Sequence, residues 1–375
     1  MARTRLARPA TVLAAALVGV SLVPGVASAH VRYVTSTEQV GEGLAFLTAA
    51  LADPVNVAAL AGGGLAAAAA VVSYRRVRVF DRDVAAFRTV MAEYRDLLSW
   101  LLRLGFGLPL VGAGFAGYFL NPVVDPLIGG GVDRLAQILI GFMIVFGFGT
   151  RVAAGVGLLA YLIALPVAPL LVYSLEWIPG FLALVLVGSG RPSADHVFER
   201  VASTPGTFYS EVDPVRRVVE WGTDRLDPLE RYVPTVVRVG MGVGFMFLGL
   251  FEKLLAPEMA RGVVEQYGLS TATPIPPDLW VLGAGFGEIA IGAAIAVGFF
   301  TRASAMAALF VFTLTLFGIP DDPVLAHIGL FSLASALLIT GSGPYALDNR
   351  LSDPRRAPDD SGAEGAARSA RAADD

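Results

Sequence analysis

Between residues 54 and 343 the chain alternates long apolar runs with short polar connections, many of them bearing arginine. Nine runs stand out, at 54–73, 98–120, 134–150, 152–172, 175–190, 233–255, 279–298, 303–319 and 326–343. Each is near the roughly 20 residues a helix needs to cross about 30 Å of hydrocarbon. None shows the alternation of barrel strands. In lipid a helix pairs its backbone N–H and C=O groups within its own segment, so helices are the economical solution. The pattern predicts an all-α protein, a polytopic transmembrane helical bundle.

Shorter patterns flank these runs. Arg3, Arg5 and Arg8 precede an apolar stretch from Thr11 to Val23, a Pro24-Gly25 break and the small residues Ala27-Ser28-Ala29. Residues 1–29 therefore read as a signal peptide, with an uncleaved signal anchor as the alternative. In 74–97, Val84, Phe87, Val90, Met91, Tyr94, Leu97 and Leu98 recur at three- and four-residue steps, predicting an amphipathic helix. Asp213-Pro214 marks the start of a short helix through Trp221. Residues 351–375, rich in Ala, Asp, Arg, Gly and Ser, read as a disordered tail.

Composition narrows the class. Hydrophobic residues make up 55% of the 375-residue chain and charged residues 16%, against roughly 25% charged in soluble domains. This disfavours a water-soluble enzyme. The absence of cysteine excludes disulfides, iron–sulfur clusters and thiolate metal sites. Charge placement says more than the net charge of −4. If the first mature span runs inward, the inner segments hold 19 arginines and the outer segments only Arg32, Arg134 and Arg261. The positive-inside rule then predicts a multi-pass protein of the cell membrane, with the N-terminus outside and the C-terminus cytoplasmic. Topology accounts for the inner arginines, so nucleic-acid binding has no support. The lipid bilayer is the expected partner.

An internal repeat is visible. Arg103-Leu104-Gly105-Phe106-Gly107 matches Arg238-Val239-Gly240-Met241-Gly242, and each unit has a proline 19 residues after its arginine, Pro122 and Pro257. Gly147 to Arg151 matches Gly298 to Arg302. Each unit closes on Gly-Ser-Gly and an aspartate five residues later, Asp195 and Asp348. Four helices per unit make the two copies parallel, unlike inverted transporter repeats. Gly240/Gly244 and Gly283/Gly287 are small-xxx-small pairs that let helices approach closely. Arg103, Arg151, Arg238 and Arg302 read as structural residues, with Arg151 and Arg302 snorkelling to lipid phosphates and anchoring their turns.

The second unit resembles the DoxX family. The resemblance rests on Arg238 and Gly242, Lys253 at the end of the first helix, Gly287-Glu288 with Gly292, then Thr301-Arg302, then Gly341, Gly343 and Asp348. It implies a four-helix bundle. Because the related DoxD-like proteins include the membrane subunit of a thiosulfate:quinone oxidoreductase, it also implies quinone-coupled oxidation of sulfur compounds. The domain order predicted is a signal peptide at 1–29, a leading transmembrane helix and inner amphipathic helix within 30–97, and a degraded DoxX-like unit at 98–196. An inner linker at 197–232, a DoxX-like unit at 233–350 and the tail at 351–375 follow.

The candidate chemistry lies in the polar residues inside apolar runs. Glu288 is nine residues into its run, ~14 Å below the end. A charge at that depth costs about 2.5–3.5 kcal/mol on insertion scales, so it needs protonation, a partner or a wet cavity. Lys253, the single lysine of the chain, follows Glu252, and His327 opens the last run. These four are expected to share one polar pocket, with Glu288 and His327 as catalytic proton-exchange groups and Lys253 and Glu252 binding substrate. The rival is a purely structural Glu288–Lys253 bridge. In the first unit the corresponding positions are Gln137 and Tyr118, and His327 corresponds to Glu176 or to nothing. The scaffold recurs without most of its ionisable groups, as expected if those serve a site.

His196 reads as a solvated loop residue. His30 would be the mature N-terminus, and an α-amine plus imidazole can chelate Cu(II). With only His327 in a span, a bis-histidine haem is excluded; no intrinsic cofactor and no metal site are expected. The reading is a subunit of a quinone-linked membrane redox system, taking electrons from substrate or a partner subunit. The alternative is a non-enzymatic scaffold or an anion and small-solute permeation protein. Whether the chain is itself an enzyme stays open.

Overall fold

A computed structural model describes residues 37–77, 79–207, 225–319 and 324–351. The signal segment, His30, the helix expected from Asp213 and the tail after residue 351 lie outside the described residues. Every described element is helical. Helices α1 (Thr37–Ala52), α2 (Pro54–Val77) and α3 (Asp81–Glu93) lead into α4 (Leu98–Ala116), α5 (Val132–Phe146), α6 (Thr150–Ala164) and α7 (Trp177–Val187). After α8 (Ala194–Ala202) come α9 (Val233–Phe247), α10 (Pro257–Gln266), α11 (Pro277–Val297), α12 (Thr301–Gly318) and α13 (Val324–Thr340).

All nine apolar runs contain a helix. Six helical stretches are long and apolar enough to cross a membrane, and the helices at 150–164, 177–187 and 327–340 are shorter. Two boundaries differ from expectation. Residues 37–52 form a helix that the apolar pattern does not announce, and the amphipathic stretch breaks after Val77, so only 81–93 forms a separate helix. Tyr74, still within α2, packs its ring edge-on against Phe300 at 5.7 Å.

One apolar core joins both halves. Leu102, Phe106 and Phe181 are fully or almost fully buried with Val237, Met241, Ile295 and Leu337. Ser332 on α13 donates to the Leu101 carbonyl of α4 at 3.3 Å. The outer faces are apolar as well. Leu135, Leu139, Phe142 and Phe146 form an exposed stripe on α5, and Val152, Val156, Leu159 and Ile163 one on α6. Stripes of that extent suit lipid and not water.

Two arginines close one end of the bundle by the same scheme. Arg103 donates to the carbonyls of Ile144, Val145, Ser189 and Pro192 at 2.6–2.9 Å. Arg238 donates to those of Ala296, Ser342 and Pro344. Each guanidinium thus satisfies orphan carbonyls at the C-terminal ends of helices, where lipid offers no donor. Asp195 accepts from Gly149 N at 2.6 Å and Thr150 N at 3.3 Å. Asp348 accepts from Phe300 N at 2.6 Å and Thr301 N at 2.9 Å. Both cap helix N-termini from a distant segment. Arg302 donates to the Leu338 and Ile339 carbonyls and Arg151 to that of Leu186. Arg151 also pairs with Asp227 at 2.7 Å. These two arginines therefore serve protein carbonyls beside their turns.

In the first glycine pair, Gly240 does permit a close approach, since carbon added there would lie 2.5 Å from Pro179 Cβ, whereas Gly244 meets only Leu175 Cβ at 3.9 Å. Carbon added at Gly283 or Gly287 would meet nothing within 4 Å. The close approach of α9 and α11 instead involves Gly242 and Gly292, whose added carbons would lie 2.5 and 2.6 Å from each other's carbonyl oxygens. Helical phase decides this, since positions 285 and 292 face α9 whereas 283 and 287 face away. Gly292→Val is expected to cost about 3 kcal/mol by overpacking, read as thermal unfolding of the detergent-solubilised chain. Gly283→Ala is expected to be neutral or slightly stabilising.

Candidate functional site

The site forms where α9 changes its winding. Residues Leu248–Leu254 continue the helix as π-turns, with the Leu255 N–H reaching back to the Leu250 carbonyl at 2.8 Å. Such wide turns inside α-helices recur at functional sites. Gly249 sits in this segment, and carbon added there would lie 2.6 Å from the Gly285 carbonyl oxygen and 3.1 Å from Glu288 Cβ. The missing side chain lets α9 and α11 touch backbone to backbone. That approach brings the wide turn within reach of Glu288.

Lys253 Nζ lies 3.0 Å from Glu288 Oε1 and 3.6 Å from Glu252 Oε2. The three side chains are 22%, 15% and 20% exposed. One ammonium therefore answers two carboxylates, leaving the cluster with an excess of negative charge when both are ionised. Glu288 Oε2 is buried without a hydrogen-bond partner among the described residues. A buried carboxyl oxygen left unmatched is costly, and a ligand O–H or N–H would satisfy it.

Helices α1 and α10 cover this end. Carbon added at Gly43 would lie 2.5 Å from the Leu255 backbone, and Phe46 and Ala50 pack with Leu254, Val281 and Leu282. Arg261 on α10 pairs with Glu258 and Asp278, both at 2.7 Å, while its guanidinium stands 4.9 Å over the Phe46 ring. Arg261 thus ties α1, α10 and α11 together. Sequence reasoning missed this layer because the apolar face of α1 is short. Phe46 and Ala50, four residues apart, were its only signal.

Of the four predicted site residues, the structure brings Glu288, Lys253 and Glu252 together. His327, the fourth residue of α13, packs its ring on Phe312 at 6.4 Å, and Phe312 in turn packs on Phe245 at 5.1 Å. Lys253 makes its ion pairs to the two glutamates. Gln137 on α5 is the residue that sequence spacing sets against Glu288. Its Oε1 accepts from Leu120 N at 2.9 Å and its Nε2 donates to the Tyr118 carbonyl at 3.1 Å. This uncharged amide ties down the loop after α4.

The helix count, the lipid-suited faces and the buried ion cluster define a multi-pass, all-helical membrane protein. Residues 233–321 match the DoxX family model. The similarity to DoxX is confined to that segment, and the ion cluster lies inside it. No curated protein and no solved structure matches the chain.

Proposed function

We propose that this chain is a subunit of a quinone-linked membrane redox system, and that Glu288, held by Lys253, is its proton-exchange group. The observation that carries this reading is the unpartnered, buried Glu288 Oε2 beside a lysine already neutralised by two carboxylates. Such a cluster suits a hydroxyl donor better than an anion. Oε2 would accept the O–H of a quinol at the cluster; forming that quinol from quinone takes two electrons, from the substrate or a redox partner subunit, and two protons, one held by Glu288 and one from water. A permeation site for anions would need spare positive charge, which Lys253 lacks.

The repeated arginine and aspartate bonds support two parallel DoxX-like units, at 98–196 and 233–350, the first keeping the scaffold without the ion cluster. The arginine-rich end is assigned to the cytoplasm of a cell-membrane protein by the positive-inside rule.

The test is solvent extraction of the purified protein. Quinone is expected to co-purify with the native chain and with Glu258→Gln, and to fall about tenfold, equivalent to ~1.4 kcal/mol, in Glu288→Gln. If native protein carries no quinone yet passes anions across vesicles in a Glu288-dependent way, without an electron acceptor, the redox role is wrong.

A further inference from the structure

The arginine-rich end of the bundle carries positive charge that the fold does not use. Arg302, the second residue of α12, gives Nε to the Leu338 carbonyl at 2.7 Å and Nη2 to that of Ile339 at 3.2 Å. Both acceptors lie in the last turn of α13. Its Nη1 has no acceptor among the described residues. Helix α3 packs on α13 as well. On α3, Val84, Phe87 and Met91 are half-buried and Arg88 is exposed. Arg95 is exposed in the short turn before α4. Arg88 and Arg95 stand near enough to Arg302 for their charges to oppose its own. Three guanidinium groups thus gather beside the turn that opens α12.

The acids nearby do not neutralise them. Asp348, the one that acts on Arg302, is engaged by the N–H groups of Phe300 and Thr301 and by the Thr301 hydroxyl. Asp81 and Asp83 sit in the first turn of α3, where they favour the helix N-terminus. Glu93 and Asp96 neighbour Arg95 in the chain. Among the described residues no ion pair joins either of them, or Arg88 or Arg95, to another residue. Like charges held together without a counter-ion repel one another, and a bound anion relieves them. The planar guanidinium fork matches the oxygens of a phosphate with paired hydrogen bonds.

The surroundings indicate where that phosphate comes from. Val90, Tyr94, Leu97 and Trp100, interleaved with these arginines along the chain, are 40–45% exposed. Tyrosine and tryptophan at the end of an apolar span mark the headgroup level of a bilayer. Exposed apolar side chains around a basic cluster suit acyl chains better than solution, and basic clusters at the ends of spanning helices recognise anionic headgroups.

We infer that Arg88, Arg95 and Arg302 form a binding site for the phosphate of an anionic phospholipid, whose headgroup sits between α3 and the turn opening α12. This site lies at the opposite end of α11 from the Lys253 cluster and does not depend on the quinone reading.

The test is titration of the delipidated full chain in detergent with phosphatidylglycerol, phosphatidylcholine or inorganic phosphate. Bound lipid is followed by native mass spectrometry and stability by thermal unfolding. Phosphatidylglycerol is expected to raise the native unfolding midpoint and to bind about tenfold or more tighter than phosphatidylcholine. Replacing both Arg88→Gln and Arg95→Gln should weaken phosphatidylglycerol about thirtyfold, the effect of two interfacial arginines, and remove its stabilisation. Phosphatidylcholine binding should be unchanged. Without lipid this variant should unfold at or above the native midpoint, because repulsion is relieved and no internal bond is lost. Arg191→Gln with Arg200→Gln, exposed arginines elsewhere on the chain, should bind phosphatidylglycerol as the native chain does. Equal weakening by both double variants would mean diffuse attraction, and a lower lipid-free midpoint for the first would mean a role in folding. Stabilisation by inorganic phosphate that displaces the lipid would mean a soluble ligand. Any of these, or equal native affinity for the two lipids, overturns the inference.

Discussion

Lys253→Met is expected to destabilise the protein by about 3–5 kcal/mol, the range found when one member of a buried ion pair is removed. Two carboxylates, Glu252 and Glu288, would then share one half-buried corner of the bundle with no cation between them. Much of the cost comes from leaving those charges uncompensated. Replacing Lys253 by Met and Glu288 by Leu together should therefore recover most of the loss, since an apolar pair of similar volume often matches a buried salt bridge. The measurement is a thermal and denaturant unfolding series on the solubilised chain, run as a double-mutant cycle. A single variant as stable as the native chain would show that the pair contributes nothing to folding. Recovery of stability without recovery of quinone binding is the outcome that marks the cluster as functional.

Arg238→Met should cost more than the loss of any one hydrogen bond. The guanidinium serves carbonyls of Ala296, Ser342 and Pro344, and each buried carbonyl left unmatched costs about 1–3 kcal/mol. A total near 3–6 kcal/mol is expected, with partial relief where water enters the end of the bundle. Lysine should not rescue it, because a single ammonium cannot reproduce the planar fork that reaches three oxygens from two helix ends. Arg103, with four carbonyl acceptors, should behave alike. Yields of monodisperse protein and unfolding midpoints for Arg238→Met, Arg238→Lys and Arg103→Met decide the matter. A tolerated Arg238→Lys would place the effect in charge and not in geometry.

The long apolar helices were readable because lipid imposes a length and forbids unpaired backbone, constraints that act on each segment separately. The recurring arginines and aspartates were visible as spacings, yet their work was not. Asp195 and Asp348 appeared only as repeated letters; folding shows them capping helices that begin some 46 residues earlier. Arg151 and Arg302 read as turn anchors, and the structure adds that they donate to carbonyls on a neighbouring helix. The Gly283/Gly287 pair matched a packing motif, but the face that packs is set by which side of α11 meets α9, and a spacing rule carries no phase. The proximity of Glu288 and Lys253 could be guessed, since an acid deep in an apolar run must find a partner. The wide turn that delivers the lysine had no sequence signature beyond Gly249.

The chain by itself determined that the protein is helical, crosses a membrane repeatedly and carries few ionisable groups within its spans. Those properties follow from local hydrophobicity and from backbone hydrogen bonding within single segments. Only the tertiary structure decided which of those groups meet. It joined Lys253 to two glutamates and set the His327 ring against Phe312. Side-chain meetings of this kind depend on helix phase, on glycine-permitted backbone contact and on a single π-turn, where an offset of one residue turns a side chain by about 100°.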